Sequence, residues 1–355
     1  MIASARCCLP DLAYKQDEIT ATFADVVLAE GEESRVGLLR RLHEASTVRS
    51  RHLAIPLERY PELGGFGASN DIFIEVGTEL GERAVQAALD AAGIEAGEVD
   101  LIMSVSVTGI AAPSLDARLV PRLGLRPDVR RVPVFGLGCV AGAAGVARVH
   151  DYLVGHPDGV AVLLAVELCS LTLQRDDTST ANLVASALFG DGAAAVVMVG
   201  SRRAERLGLT GRPRVVDTRS RFYPDTEGVM GWQIGSTGFR IVLEPTVADV
   251  VRRYLADDVS RFLAEHGLTV PQVGTWVAHP GGPKVIDAII GSLGLDPAAL
   301  DVTRHCLSEA GNLSSVSVLQ VLERTLDLVR PAAGTPGLMM AMGPGFCSEL
   351  VLLQW

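Results

Sequence analysis

At 355 residues, 48% apolar and 21% charged, the chain has the composition of a globular protein with a large core, and its length points to two domains or subdomains. Its 31 basic against 42 acidic residues leave a net charge of −11, the wrong sign for tracking a phosphate backbone, so nucleic acid is not expected as a partner. Its longest apolar runs, such as GVAVLLAV (159–166), are too short to span a bilayer, and the N-terminus lacks the apolar core of a signal peptide, so no stable membrane anchor is expected.

The first residues, MIASARCCLPDLAYKQDEI, are expected to be loose, with Cys7 and Cys8 taking no role there. The run RRLHEASTVRSRH (40–52) holds Arg40, Arg41, Arg49 and Arg51 against one acid, which makes it a basic patch in an acidic protein. SNDIFIEVGTELGERAVQAALDAAG (69–93) opens on cap-type residues, carries apolar positions at helical spacing and closes on Gly93, so it predicts a helix. A buried strand is predicted over 99–107, a short helix over 113–125, and a strand over 130–136. The stretch GCVAGAAG follows, with a helix over 140–153, then strands over 159–167 and 192–199. The second half repeats the grammar: a strand at 274–279, helices at 282–295 and 313–328, and a closing strand pair at 337–342 and 347–355. This alternation predicts an α/β fold.

The halves superimpose at the level of pattern. Gly138-Cys139 and Gly311-Asn312 each open a helix, 173 residues apart, and VDLIMSVS (99–106) falls on VGTWVAHP (273–280) at an offset of 174. A duplicated unit about a pseudo-two-fold axis would bring Cys139 and Asn312 to one cavity, with His279 at the end of a strand beside them.

Each of these three residues has an ordinary structural reading. A cysteine in a Gly/Ala run packs tightly, an asparagine caps a helix, and a histidine ends a strand. Together they suit chemistry. A thiol at a helix N-terminus meets the positive end of the helix dipole, which favours the thiolate. An imidazole and a side-chain amide can donate to an oxygen on which negative charge develops, and the imidazole can also pair with the thiol. The six cysteines (7, 8, 139, 169, 306, 347) show no CxxC or metal-finger spacing and read as reduced thiols of the cytoplasm.

GCVAGAAG, FGDGAAAV (189–196), VAHPGGPKVID (277–287), SEAGNLSS (308–315) and MGPG (342–345), in this order, resemble the chalcone synthase-like type III polyketide synthases. The resemblance implies a thiolase fold of duplicated αβαβα halves in five layers, divided here at 1–205 and 206–355. It implies a homodimer that takes acyl-CoA and malonyl-CoA and needs no metal or redox cofactor. By the same resemblance Cys139 accepts the starter acyl group, and His279 and Asn312 stabilise the enolate left when malonyl-CoA loses CO₂. Phe189 and Phe239 would be gatekeepers, and Thr108, Ala112, Cys169, Gly343 and Pro344 would line the substrate cavity. Arg41 would contact CoA, although two lysines of that patch are Leu38 and Ala45 here. TGIAAPSLDARL, VELCSLT and the C-terminal stretch look most like enzymes making alkylpyrones and alkylresorcinols from long-chain starters. A malonyl-primed tetrahydroxynaphthalene-type synthase is the alternative, and a catalytically silent acyl-CoA-binding relative is the reading from another class.

Overall fold

The computed structural model describes residues 1–28, 33–175 and 177–355. The chain begins with β1 (Ile2–Cys8), a β2/β3 hairpin (Leu12–Lys15 and Ser50–Leu53), and two helices inserted in it, α1 (Gln16–Val27) and α2 (Glu33–Ala45). The N-terminus is therefore not loose. β1 runs antiparallel to β7 (Asp191–Val199) and completes the first sheet, because its residues 2–5 are buried and packed against α3 (Phe66–Ala92), with the Ser4 hydroxyl donating to the carbonyl of Ala88 at 2.6 Å. The predicted helix over 69–93 is this α3, ended by Gly93 in the left-handed region at φ 64°.

The first sheet has the order β1-β7-β6-β4-β5, with β4 at Leu101–Ser106, β5 at Arg130–Phe135 and β6 at Val160–Leu168. α4 (Leu115–Leu123) and α5 (Ala141–Gly155) join its parallel strands, and α6 (Thr180–Leu188) leads into β7. After a short α7 (Ser201–Arg206) comes β8 (Arg214–Phe222), then a hairpin of β9 (Met230–Gly235) and β10 (Gly238–Leu243) that the sequence pattern did not announce. α8 (Val247–Glu265), β11 (Thr275–Ala278), α9 (Pro283–Leu293), α10 (Asp301–Ala310), α11 (Ser315–Arg324), β12 (Pro336–Gly343) and β13 (Cys347–Gln354) follow. The second sheet has the order β11-β12-β13-β8.

The duplication is visible in strand direction. β4 is parallel to β6, β6 antiparallel to β7, and β7 antiparallel to β1. Likewise β11 is parallel to β12, β12 antiparallel to β13, and β13 antiparallel to β8. Only β5 lacks a counterpart among the described residues.

Three buried clusters define five layers. α3 and α4 cover the outer face of the first sheet, and α8 and α9 that of the second. Between the sheets lies one apolar core built around α5 and α11, with Val140, Ala143, Val146 and Ala147 meeting Val316, Val318, Leu319 and Leu322. Closeness there depends on small residues: a Cβ at Gly142 would stand 2.3 Å from the carbonyl oxygen of Ser315 and 2.6 Å from Val318. No helix among the described residues is long and apolar enough to cross a membrane.

Candidate active site

Cys139, His279 and Asn312 line one buried cavity of about 40 Å³ where the two halves meet. Each is delivered by an element end. β5 stops at Phe135, and a turn of 3-10 helix (Gly138–Val140) carries Cys139 to the start of α5. Gly138 makes that turn possible, since its φ is +59° and a Cβ would stand 2.8 Å from Pro344. His279 directly follows β11, and Asn312 lies in the turn between α10 and α11. Cys139 and Asn312 thus occupy matching places before the two central helices.

Hydrogen bonds fix the asparagine. The backbone N–H of Ser314 donates to its Oδ1 at 2.8 Å, so the amide must present its Nδ2 to the other side. One N–H of Nδ2 reaches the carbonyl of Gly281 at 3.3 Å, which leaves the second for the cavity. On His279 the backbone N–H is held by Met340 at 2.9 Å, while Nδ1 is buried with no partner among the described residues. Cys139 Sγ points at Ser314 Oγ, 3.7 Å away.

Burial decides the charge states. It pushes the Cys139 thiol up to about 12, with the Ser314 hydrogen bond opposing and Glu167 adding to the rise. It pulls the His279 imidazole down to about 4. Desolvation therefore works against the thiolate that the helix dipole would favour, and it favours the uncharged imidazole.

The wall shared with Cys139 is polar on one side. Glu167, at the end of β6, accepts from Ser315 Oγ at 2.6 Å, Thr108 Oγ1 at 2.8 Å and the Val107 N–H at 3.1 Å. Burial raises its pKa against these bonds. Because Ser315 belongs to the second half and Thr108 to the first, this carboxyl ties the halves together beside the thiol. Sequence reading missed it, although a charged residue closing a run of apolar strand residues was the signal.

The other expected residues are distributed unevenly. Phe189 lines the cavity. Phe239 does not; β10 buries it in an aromatic cluster with Phe66 at 5.4 Å, Phe135 at 6.1 Å and Trp232 at 6.2 Å between ring centroids. Cys169 lines a smaller pocket of about 20 Å³ on the far side of Phe189. The Thr108 hydroxyl is engaged by Glu167 and the Leu168 N–H. Gly343 and Pro344 pack against the Cys139 turn, and it is Met340, Ala341 and Met342 that line the cavity. Ala112 is exposed on the loop before α4.

A pocket of about 500 Å³ adjoins the cavity, sharing Leu188, Met230, Leu243, Val247, Gly281 and Val285 with it. Its rim includes Leu42 and Ala45 of α2 and the exposed Lys284 at the start of α9. Arg41 is exposed on α2, next to Leu42. Lys284, one of only two lysines in the chain, lies in VAHPGGPKVID, where nothing local to the sequence shows that it borders a pocket. Leu38 is half-buried against α1, and Arg51, one of the four arginines read as a basic patch, is completely buried.

His43 shares the neutral burial of His279: it sits between Thr20 Oγ1 at 2.8 Å and Ser186 Oγ at 3.2 Å, and desolvation with the nearby Arg51 lowers it to about 3. The unfolded chain binds protons on both rings near pH 6.5, so their contribution is present above that pH and is lost as pH falls toward 4 and 3. Asp191, raised to about 6 by burial, works in the opposite sense and offsets part of it. The expected result is that stability, from urea melts at pH 7 and pH 4.5, falls more steeply with acid in the parent than in His43→Gln. Each histidine contributes on the order of 2–3 kcal/mol over that range. Equal slopes would refute the neutral burial of His43.

Comparisons with known proteins fit this geometry. The family model for the N-terminal domain of chalcone and stilbene synthases matches residues 1–202, and that for the C-terminal domain matches 214–355. A 1,3,6,8-tetrahydroxynaphthalene synthase of Streptomyces peucetius subsp. caesius is 54% identical over 354 residues, covering 100% of this chain and 93% of that protein. A phloroglucinol synthase of Pseudomonas fluorescens is 29% identical, covering 98% of each. The crystal structure of the tetrahydroxynaphthalene synthase of Streptomyces coelicolor A3(2), described as a bacterial type III polyketide synthase, matches with a TM-score of 0.92 at 30% identity, covering 100% of this chain and 99% of that one.

Proposed function

The chain belongs to the chalcone and stilbene synthase family and is a type III polyketide synthase, and from that premise we propose that Cys139, His279 and Asn312 are its catalytic centre and malonyl-CoA is both starter and extender. The convergence of these three residues on one cavity carries the assignment of the centre.

Sγ of Cys139 attacks the thioester carbon and the CoA thiolate leaves. The thiol proton passes to His279 as the bond forms and from there to the departing CoA sulfur, which returns the imidazole to its neutral form. When malonyl-CoA then loses CO₂, the electron pair of the broken C–C bond spreads onto the thioester oxygen. The free N–H of Asn312 Nδ2 and the N–H of a neutral His279 are donors for that oxygen, and preorganised donors in a dry site are worth several kcal/mol. The carbanion attacks the acyl carbon on Cys139, and the new C–C bond expels the cysteine sulfur for another round. The larger pocket suits the pantetheine arm and phosphates of CoA, with Lys284 at its rim and Arg41 close by.

Of the two starters weighed from the sequence, the malonyl-primed one has the better support. The relative with 54% identity is a tetrahydroxynaphthalene synthase, and the cavity at Cys139 is small and walled by Leu188, Phe189, Met230 and Met340. The test is a product assay by mass spectrometry with labelled malonyl-CoA alone or with acyl-CoA starters from acetyl to palmitoyl. An aromatic product from malonyl-CoA alone is expected. Products formed only with a long starter would restore the alkylpyrone or alkylresorcinol reading, and no polyketide under any condition would leave a silent binder.

The same premise leads us to propose a homodimer through β5. Among the described residues this edge strand pairs only with β4, and its neighbourhood exposes Phe135 (46%), Ile110 (45%) and Val132 (39%), an apolar edge that a second copy would cover.

A further inference from the structure

We propose that Arg51 is a positioning residue that holds Asn312 and the Phe189 wall in register. The proposal rests on the reading of Asn312 as a donor to the enolate.

Arg51 is 0% exposed, and among the described residues no carboxylate forms an ion pair with it. Burying a guanidinium costs several kcal/mol. A position that needed only packing would be filled by an apolar side chain, so the planar, many-donor head calls for a reason. Its contacts supply one. Nη1 donates to the carbonyl of Phe189 at 2.7 Å, and Nε donates to Gln16 Oε1 at 3.1 Å. The Gln16 amide in turn donates to the carbonyl of Ala187 at 2.8 Å. The stem of Arg51 lies against Gly311, where a Cβ would come within 3.1 Å of its Cδ.

These are the two segments that form the catalytic wall. The Asn312 N–H donates to the carbonyl of Leu188 at 2.7 Å, and the Gly190 N–H donates to the carbonyl of Asn312 at 3.0 Å. Carbonyls alternate along an extended segment. With those of Leu188 and Asn312 engaged in the bridge, the Phe189 carbonyl faces away from it, and Arg51 holds it there. The same strand docks on the end of α10: the Arg49 N–H donates to Ser308 at 2.8 Å and Ser50 Oγ to the Glu309 carbonyl at 2.9 Å. Arg51 therefore braces residues 187–190 and 308–312 against each other from behind. Burial lowers its pKa to about 10, with Asp191 opposing, so it keeps its charge and all its donors at neutral pH.

The assay is decarboxylation of malonyl-CoA to acetyl-CoA, with kcat and KM measured separately, alongside the rate of Cys139 acylation. Arg51→Met is expected to lower the decarboxylation kcat by about 10- to 100-fold, with KM and Cys139 acylation changed less than about threefold. Arg51→Lys, which still reaches one carbonyl, is expected to recover most of the loss. Should Arg51→Met prove unstable, Gln16→Leu removes the second arm of the brace and is expected to lower kcat alone by about 3- to 10-fold. An unchanged kcat in Arg51→Met overturns the proposal. So does a rise in KM alone, which would make Arg51 a CoA contact, or an equal loss in both variants and in acylation, which would make it a folding residue. Asn312→Ala run in parallel separates the premise: if it decarboxylates normally, the reading of Asn312 fails first and the brace has no catalytic object.

Discussion

Cys139→Ala is expected to abolish polyketide formation by more than about 10³-fold while leaving malonyl-CoA decarboxylation within about tenfold of the parent. On the proposed assignment the two reactions use different residues. Acyl transfer requires a nucleophile, and no other thiol lines the cavity that holds His279 and Asn312, since Cys169 is separated from it by Phe189. Decarboxylation requires only donors to the thioester oxygen, and the hydrogen bonds that hold the proposed donors, His279 and Asn312, do not involve Cys139. The substitution removes one sulfur from a buried side chain whose only side-chain partner among the described residues is a long contact to Ser314, so folding should change by about 1 kcal/mol or less. Intact-mass spectrometry after incubation with malonyl-CoA would show an acyl adduct on the parent and none on the variant. Product from Cys139→Ala above about one per cent of the parent would remove the covalent step from the mechanism.

The largest effect on folding is expected at Gly142. A Cβ there would stand 2.3 Å from a backbone carbonyl oxygen on α11, which cannot rotate aside as a side chain would. Relief requires α5 and α11 to part along the central layer, where residues from both sheets interlock. Gly142→Ala should therefore cost about 3 kcal/mol or more despite the better helix propensity of alanine, and Gly142→Val should prevent accumulation of folded protein. The matched control is Gly155→Ala at the end of the same helix, where a Cβ meets nothing within 4 Å and the change should be neutral or slightly stabilising. Chemical denaturation of the three proteins decides the matter. Equal midpoints for Gly142→Ala and the parent would mean that the central helices are not in fixed contact.

Much of this architecture was legible in the sequence because it rests on periodicity. β6, β7 and the closing pair β12–β13 are continuous apolar runs of strand length, and α3 is bounded by cap-type residues and Gly93. The near-equal offsets between the halves pointed to the duplication that strand directions now display. The shared cavity of Cys139, His279 and Asn312 was legible for a related reason: all three stand at element ends, and element ends can be read.

What escaped depends on which tertiary neighbour a side chain meets. β1 looked like a frayed end, because nothing in MIASARCC reveals that β7 pairs with it. Arg51 looked like one more surface cation in a basic run, yet a β-hairpin turns it inward while Arg41 on α2 stays exposed. Phe239 matched a family position by its motif, but its ring is taken up by three other aromatic residues. Lys284 and Glu167 are charges at the ends of well-predicted elements, and only folding shows that one rims a pocket and the other joins two halves.

The unmatched strand β5 has a consequence for how the molecule can grow. A chain with two equivalent sheets and an open edge on each would have a valence of two, and copies could add at both ends into a fibre. In this chain the corresponding place in the second sheet is taken by the border of β11, whose four residues are all buried. One sheet can accept a neighbour there and the other cannot. At that border the repeated chain offers one open edge instead of two, so the pairing proposed through β5 would leave no second edge of the same kind to extend from.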